Sequence, residues 1–173
     1  LRSIPGALPI AMAAIKSNRR VIVPAACALE VGLINDPAVL IAETLLEVCA
    51  FLRGDRTLPS PTATPPEKLS GLPDLDEVIG QNRARRALEI AATGGHNLLM
   101  TGPPGTGKSM LAQRLPGILP PCSNDEALAT AALYSLRGVP ATHWPAWGTR
   151  PFRAPHHTAT AAALAGGGGI PTP

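Results

Sequence analysis

Apolar and polar residues recur along the chain with the periods of both helices and strands, which predicts a mixed α/β protein. Residues 10–15 are apolar and rich in alanine, as is typical of a short helix. Residues 20–23 are mainly β-branched and are followed by Pro24, so they predict a strand that stops at the proline. The N-terminal third is therefore expected to combine helix and strand.

The next segment predicts a longer amphipathic helix. Asp36 suits the N-cap and Pro37 the first helical position, while Gly54 ends the pattern. One face, at three- and four-residue spacing, consists of Leu40, Ile41, Thr44, Leu45, Val48, Cys49 and Leu52. This periodicity favours a continuous helix that starts at residue 36.

Composition changes between residues 55 and 74. Prolines stand at positions 59, 61, 65, 66 and 73 with small polar residues between them. Such a segment does not hold a regular element and is extended and semi-rigid. We therefore predict a domain boundary here, with one α/β domain ending at residue 54 and another beginning at residue 75. A long ordered loop within one domain is the alternative, although loops of this length are uncommon in compact domains.

A helix is predicted directly after this linker. Asp76 suits its N-cap, and Gly94 and Gly95 suit its C-terminal end. Its apolar residues are Ile79, Ala84, Ala87, Leu88 and Ala91. Further along, Ser123 and Glu126 form a capping-box pattern for a helix that closes at residues 137–138.

A strand, a glycine-rich loop and a helix are predicted in succession between these two helices. Residues 97–100 are the short apolar strand, residues 102–109 the loop, and residues 110–115 continue as a helix until Pro116. This is the order of elements in which a phosphate-binding loop is found.

The loop has the pattern G-x-x-x-x-G-K-S. Its glycines let consecutive backbone N–H groups approach phosphate oxygens without obstruction by a side chain. Lys108 is the predicted catalytic residue because its ammonium reaches the β- and γ-phosphates, and Ser109 is the expected Mg²⁺ ligand. The predicted site for ATP comprises Gly102, Pro103, Pro104, Gly105, Thr106, Gly107, Lys108, Ser109 and Met110.

Hydrolysis of ATP requires an acidic residue at the end of a further strand, the Walker-B strand. Asp125 and Glu126 are the last acidic residues of the chain, and they lie at the start of a predicted helix. We therefore predict that these 173 residues bind ATP without turning it over.

Two other groups of residues are candidate sites. His156 and His157 are neighbours, and adjacent side chains point in different directions, so they do not predict a metal site. Arg150 and Arg153 lie near aromatic residues, which suits either single-stranded nucleic acid or a partly buried loop. The aromatic residues concerned are Trp144, Trp147 and Phe152.

Composition sets the remaining limits. A hydrophobic fraction of 45% in 173 residues suffices for a buried core, and a net charge of +3 does not by itself predict a polyanionic partner. The three cysteines are widely spaced, which indicates neither a disulfide framework nor a zinc site. No apolar run approaches the roughly 18 residues that span a bilayer. We therefore expect a cytoplasmic protein with no membrane partner.

Five segments, at residues 75–81, 86–92, 94–100, 102–112 and 150–158, together resemble the Mg-chelatase-like AAA+ ATPases of the YifB and ComM type. The resemblance covers essentially the whole chain. In that family a domain related to the Lon protease fold precedes the AAA+ module, and residues 6–24 resemble the end of such a domain. The fold class is thus expected to be α/β, with part of a P-loop NTPase core after the C-terminal part of a Lon-like domain.

This resemblance implies a homo-hexameric ATPase that, in its competence-protein members, acts on DNA as a branch-migration helicase. Val78 and Ile79 would lie against the adenine, and residues 153–169 would form an insertion before the Walker-B strand. The chain departs from the family pattern in that it is expected to stop before Walker B, ahead of the sensors, the arginine finger and the lid. With Leu1 at its start, it is expected to be an internal piece of a longer protein.

Other functions remain open from the sequence. The ATPase subunit of Mg-chelatase shares the core but lacks a Lon-like N-terminus, and a P-loop kinase would show further substrate-binding arginines and a lid. A protease is disfavoured, because Lon-type catalysis needs a serine and a lysine, and Ala11 occupies the position expected for that lysine. Lys16 is expected to be a solvated helix residue.

Overall fold

A computed structural model describes residues 1–63, 71–144, 146–156 and 158–161. Two strands and six α-helices occur in these residues. They are α1 (Ala7–Lys16), β1 (Val21–Pro24), α2 (Ala28–Val31), β2 (Val39–Ala42), α3 (Leu45–Arg53), α4 (Asn82–Gly94), α5 (Lys108–Ile118) and α6 (Asn124–Leu136). Among the described residues, no helix has the length and apolar character needed to cross a bilayer.

Contacts between Cα atoms divide the described residues into two units. The first unit takes them from 1–66, 124–145 and 155–173, and the second from 67–123 and 146–154.

A parallel pair of strands organises the first unit. β1 pairs with β2, with Val21 opposite Val39 and Pro24 opposite Ala42. The core beside this pair has side chains that are at most 2% exposed, namely Ala7, Ala11, Val23, Cys27, Val31 and Val39. Burial raises the pKa of the Cys27 thiol, so it stays protonated as a small apolar core residue. The predicted helix at 10–15 and strand at 20–23 are confirmed, as is the α/β class.

The prediction of a continuous helix from residue 36 was wrong in its first half. Residues 39–42 form β2, because they pair with β1 and are largely buried there. Asp36 does not cap a helix; its Oδ1 accepts the N–H of Ala38 at 2.8 Å and closes a local turn. An apolar run this short is compatible with either element, and the partner strand decides between them.

A capping box starts α3 instead. Thr44 Oγ1 accepts the N–H of Glu47 at 3.3 Å, while the Glu47 carboxylate accepts N–H groups of Glu43 and Thr44. These N–H donors, that of Glu43 first, lower the pKa of Glu47. Gly54 ends α3 in the left-handed conformation, with φ of 85°, as predicted.

The proline-rich segment begins against the first unit. The Ile41 N–H donates to the carbonyl of Pro59 at 3.0 Å, and Leu58 is only 8% exposed. Gly32 leaves room for this approach, since a Cβ there would lie 2.8 Å from the Ala63 nitrogen. Residues 55–63 and 71–74 contain no helix or strand, as predicted, and residues 64–70 lie outside the described part of the chain.

Helix α6 packs against α1 within the first unit. The Gly6 N–H donates to the carbonyl of Ser135 at 2.9 Å, and the Leu8 N–H to Ser135 Oγ at 3.4 Å. Ser135 is 2% exposed and satisfies its buried polar groups through these bonds. The helix itself was predicted, but this contact was not.

The second unit is built on α4 and α5. Its core consists of Leu75, Val78, Leu88 and Leu111. The helix predicted from an Asp76 cap begins later, at Asn82, because Asp74 instead closes a 3₁₀ turn at Leu75–Glu77. Gly95 ends α4 in the left-handed conformation, consistent with the predicted glycine end.

The strand predicted at residues 97–100 is absent from the described structure, where only β1 and β2 pair. Leu99 is 86% exposed and Leu98 40%. A strand is defined by its ladder of hydrogen bonds to a neighbour, and no described strand lies beside this segment. The helix after the loop, α5, extends past its predicted end and contains Pro116.

Candidate functional site

The glycine-rich loop, residues 102–109, depends on glycine for its backbone. Gly102, Gly105 and Gly107 have φ angles of 153°, 80° and 83°, a region that side-chain-bearing residues rarely adopt. At Gly107 space matters as well, since a Cβ would lie 3.3 Å from Met110 Cε and 3.4 Å from Gln81 Nε2. The loop therefore has its conformation because of its glycines.

Unpaired donors lie where the loop enters α5. The N–H groups of Gly107, Lys108 and Ser109 donate to no protein acceptor within the described residues. The first N–H groups of any helix lack an intrahelical partner, and the helix dipole adds partial positive charge at this end. Such an arrangement binds anions, and phosphate above all.

Lys108 folds back over this loop. Its Nζ donates to the carbonyls of Gly102 at 2.8 Å and Pro103 at 2.6 Å, and it lies 3.3 Å from Thr106 Oγ1. Thr106 Oγ1 in turn donates to the Pro103 carbonyl at 2.9 Å. The ammonium thus supplies a full positive charge beside the unpaired N–H groups.

Ser109 follows on the first turn of α5 and is exposed to solvent. Its hydroxyl has no hydrogen-bond partner in the described residues, so an oxygen donor is free for a hard cation such as Mg²⁺. Of the other predicted site residues, Pro103 and Pro104 are exposed, and Met110 is 37% exposed.

A cavity of about 450 Å³ adjoins the loop. Its wall includes Gln81, Ala87, Leu98, Met100, Gly102 and Lys108. This mixture of apolar side chains and a few polar groups is typical of a small-molecule site. The apolar wall residues were missed as site residues, although they lie on α4 and on residues 97–100, which precede the loop in sequence.

The two residues predicted to lie near adenine, Val78 and Ile79, differ in exposure. Val78 is 2% exposed and belongs to the core, whereas Ile79 is 97% exposed. Neither is among the residues that line the cavity.

Two side-chain contacts lie beside this site, and the sequence does not reveal either of them. Gln81 Nε2 donates to the Thr106 carbonyl at 2.8 Å. Arg114 forms an ion pair with Glu77 at 2.8 Å, and its other terminal nitrogen donates to the Met110 carbonyl at 3.1 Å. Both contacts join residues 77–81 to the loop or to α5.

The basic and aromatic residues near the end of the chain differ in exposure in the described structure. Trp144 is buried, and its indole N–H donates to the Val139 carbonyl at 2.7 Å, so it is not available to stack on a base. The Arg150 Nε donates to the Pro120 carbonyl at 2.9 Å, while Arg153 and Phe152 are exposed.

No group of three or more potential metal ligands occurs in the part of the chain that the structure describes. His156 is exposed, with its ring Nδ1 2.9 Å from Thr158 Oγ1. His157 lies outside the described residues.

Comparison with known proteins places this loop in a defined family. Residues 74–173 match the family described as magnesium chelatase, subunit ChlI. Because the match covers more than half of the chain, this protein belongs to that family.

Individual relatives narrow the family further. The chain is 51% identical over its whole length to YifB of Salmonella typhimurium and 46% identical to the competence protein ComM of Haemophilus influenzae, covering 34% and 35% of those proteins. It therefore lies with the Mg-chelatase-like proteins of the YifB and ComM type, and it spans about a third of their length. A shorter stretch of 55 residues is 46% identical to the archaeal Lon protease of Thermococcus kodakarensis, over 8% of that protein.

Proposed function

We propose that this chain binds ATP with Mg²⁺ at the glycine-rich loop, as the nucleotide-binding part of an AAA+ ATPase. The observation that carries the proposal is the loop itself. Three glycines with positive φ, three unpaired N–H groups at a helix start and the Lys108 ammonium converge on one small region. A triphosphate is the ligand whose charge and size suit such a group of donors.

Each group has a separate role in this proposal. The N–H groups of residues 107–109 bind phosphate oxygens, and Lys108 gives up its carbonyl partners to neutralise the terminal phosphates. Ser109 would hold Mg²⁺, which neutralises phosphate charge when bound. The adjoining cavity has room and apolar surface for a base.

Mg²⁺ dependence tests the proposal. We expect saturable binding of a fluorescent ATP analogue that weakens when EDTA removes Mg²⁺. In Ser109→Ala the affinity with Mg²⁺ should fall by about tenfold, the loss of one charge-assisted contact, and the affinity without Mg²⁺ should stay the same. Ser17→Ala is the matched control, because Ser17 is exposed and lies beyond the end of α1.

Two results would contradict the assignment. Wild-type protein that gives no saturable signal would remove the ATP site altogether. An equal Mg²⁺ effect in wild type and Ser109→Ala would remove Ser109 as the ligand.

For the full-length protein we propose a cytoplasmic homo-hexamer that uses ATP to move along DNA, with residues 1–54 as the end of a Lon-like domain. The support is family membership and the likeness to the competence protein ComM. The chelatase description of the family raises an alternative, a subunit that drives insertion of Mg²⁺ into a tetrapyrrole. In a ring, each ATP site would be completed by the neighbouring subunit. An arginine of that neighbour can neutralise charge on the transferred phosphoryl group.

A synthetic four-way DNA junction distinguishes the DNA motor from the chelatase subunit. We expect full-length protein to move the junction only with ATP, to have the mass of a hexamer with ATP present, and to bind DNA less tightly as salt rises. The Lys108→Ala full-length protein is the control for ATP use. A protein that hydrolyses ATP as a monomer and never moves the junction would favour the alternative.

A further inference from the structure

We propose that Gln81 is a positioning residue for the phosphate site: its side-chain amide fixes the direction of the Gly107 N–H. This inference rests on the proposed ATP site. It follows from one hydrogen bond, in which Gln81 Nε2 donates to the Thr106 carbonyl at 2.8 Å. The amide nitrogen also lies 3.4 Å from the position that a Cβ on Gly107 would occupy, so it stands directly beside this peptide unit.

The planarity of the peptide bond links the two groups. The carbonyl of Thr106 and the N–H of Gly107 belong to the same peptide unit, and in a trans peptide they point in opposite directions. When Gln81 holds the carbonyl on its own side, the N–H of Gly107 must point away from Gln81. That N–H is one of the three donors at the start of α5 that have no protein acceptor within the described residues.

Glycine makes such a restraint necessary. Gly107 has φ of 83°, Gly105 has φ of 80°, and glycine moves between backbone conformations at little cost. The Thr106–Gly107 peptide unit has glycine on one side, so it can rotate about that side and turn its N–H away from a bound phosphate. An external hydrogen bond to the carbonyl prevents this rotation and reduces the ordering that binding would otherwise require.

The side chain of Gln81 has no competing local task. Gln81 occupies the N-cap position of α4, yet its side chain makes no capping hydrogen bond to that helix. Its backbone is left-handed, with φ of 55°, which is uncommon for glutamine. The residue thus directs its amide to the loop rather than to its own helix.

The segment that carries Gln81 is itself anchored. Arg114 on α5 pairs with Glu77 at 2.8 Å, and the arginine side chain is only 16% exposed. The same guanidinium donates to the Met110 carbonyl on the first turns of α5. Residues 77–81 are therefore attached to the phosphate-binding helix at one end and to the loop at the other.

Three substitutions separate this role from a structural one. Gln81→Glu has the same shape but presents a carboxylate to the Thr106 carbonyl and cannot donate at neutral pH. Gln81→Asn keeps an amide and suits the left-handed backbone better, but it is one methylene too short for this contact. Gln81→Ala removes the side chain. Binding is measured by titration calorimetry with two probes, Mg–ATP and inorganic tripolyphosphate with Mg²⁺.

We expect all three variants to bind both probes more weakly by about fivefold, the value of one net hydrogen bond, with Gln81→Glu the weakest because its charge repels phosphate. The melting temperature of Gln81→Asn should equal or exceed that of the wild type. The effect on tripolyphosphate matters most, since this probe has no base or ribose for Gln81 to contact.

The outcomes are distinguishable. Wild type that binds neither probe would overturn the proposed ATP site, whereas wild type that binds both with variants of equal affinity would overturn only the role of Gln81. Loss of ATP affinity with unchanged tripolyphosphate affinity would show that Gln81 reads the nucleoside. A melting temperature that falls in Gln81→Asn in parallel with affinity would show a role in folding.

Discussion

Replacement of Lys108 by alanine is expected to weaken Mg–ATP binding by about a hundredfold, the largest functional effect of any single substitution in this chain. A charge-assisted contact is worth about 1.5 to 3 kcal/mol, and this ammonium is the one full positive charge that the described loop residues supply. Lys108 Nζ now donates to the exposed carbonyls of Gly102 and Pro103. Water can donate to these carbonyls once the side chain is removed. The fold should therefore persist.

The measurement is a titration of the fluorescent ATP analogue, with thermal unfolding in parallel. Lys16→Ala is the matched control, because Lys16 is an exposed lysine in the last turn of α1 and in the first unit. Equal affinities for wild type and Lys108→Ala would remove the glycine-rich loop as the nucleotide site. A large fall in the melting temperature of Lys108→Ala would show that the carbonyl contacts stabilise the loop.

The largest effect on stability is expected for Leu111→Ala. Leu111 is 2% exposed on α5 and packs in the core of the second unit with Leu75, Val78 and Leu88. Truncation of a buried leucine costs about 2 to 5 kcal/mol, from lost apolar burial and from the cavity that remains. Because α5 begins within the glycine-rich loop, nucleotide binding should weaken as the unit unfolds.

Urea unfolding followed by tryptophan fluorescence measures this loss. Trp147 lies in the second unit and Trp144 in the first, so a Trp144→Phe background leaves a reporter of the second unit. Leu99→Ala is the control in the same unit; Leu99 is 86% exposed, and its loss should change the free energy of unfolding by about 0.5 kcal/mol or less. Equal midpoints for Leu111→Ala and Leu99→Ala would contradict the core described for this unit.

The sequence by itself determined the features whose causes are local. Positive φ at Gly102, Gly105 and Gly107 favours glycine, so the sequence pattern alone predicted the loop and the helix that follows it. The first helix and the first strand were predicted from hydrophobic periodicity, and the end of α4 from Gly95. Both signals act over only a few residues, so the sequence alone reveals them. The family followed from the motif and the segments around it, and the comparisons confirm it.

Tertiary structure decided what depends on partners distant in the chain. Residues 39–42 are apolar enough for a helix or a strand, and pairing with β1 made them a strand, while residues 97–100 without a described neighbour did not become one. The contacts Gln81 to Thr106 and Arg114 to Glu77 join residues 25 and 37 positions apart, and Leu8 meets Ser135 across 127. Hydrogen bonds and ion pairs of this kind leave no periodic trace, because their geometry exists only once the backbone has brought the two residues together.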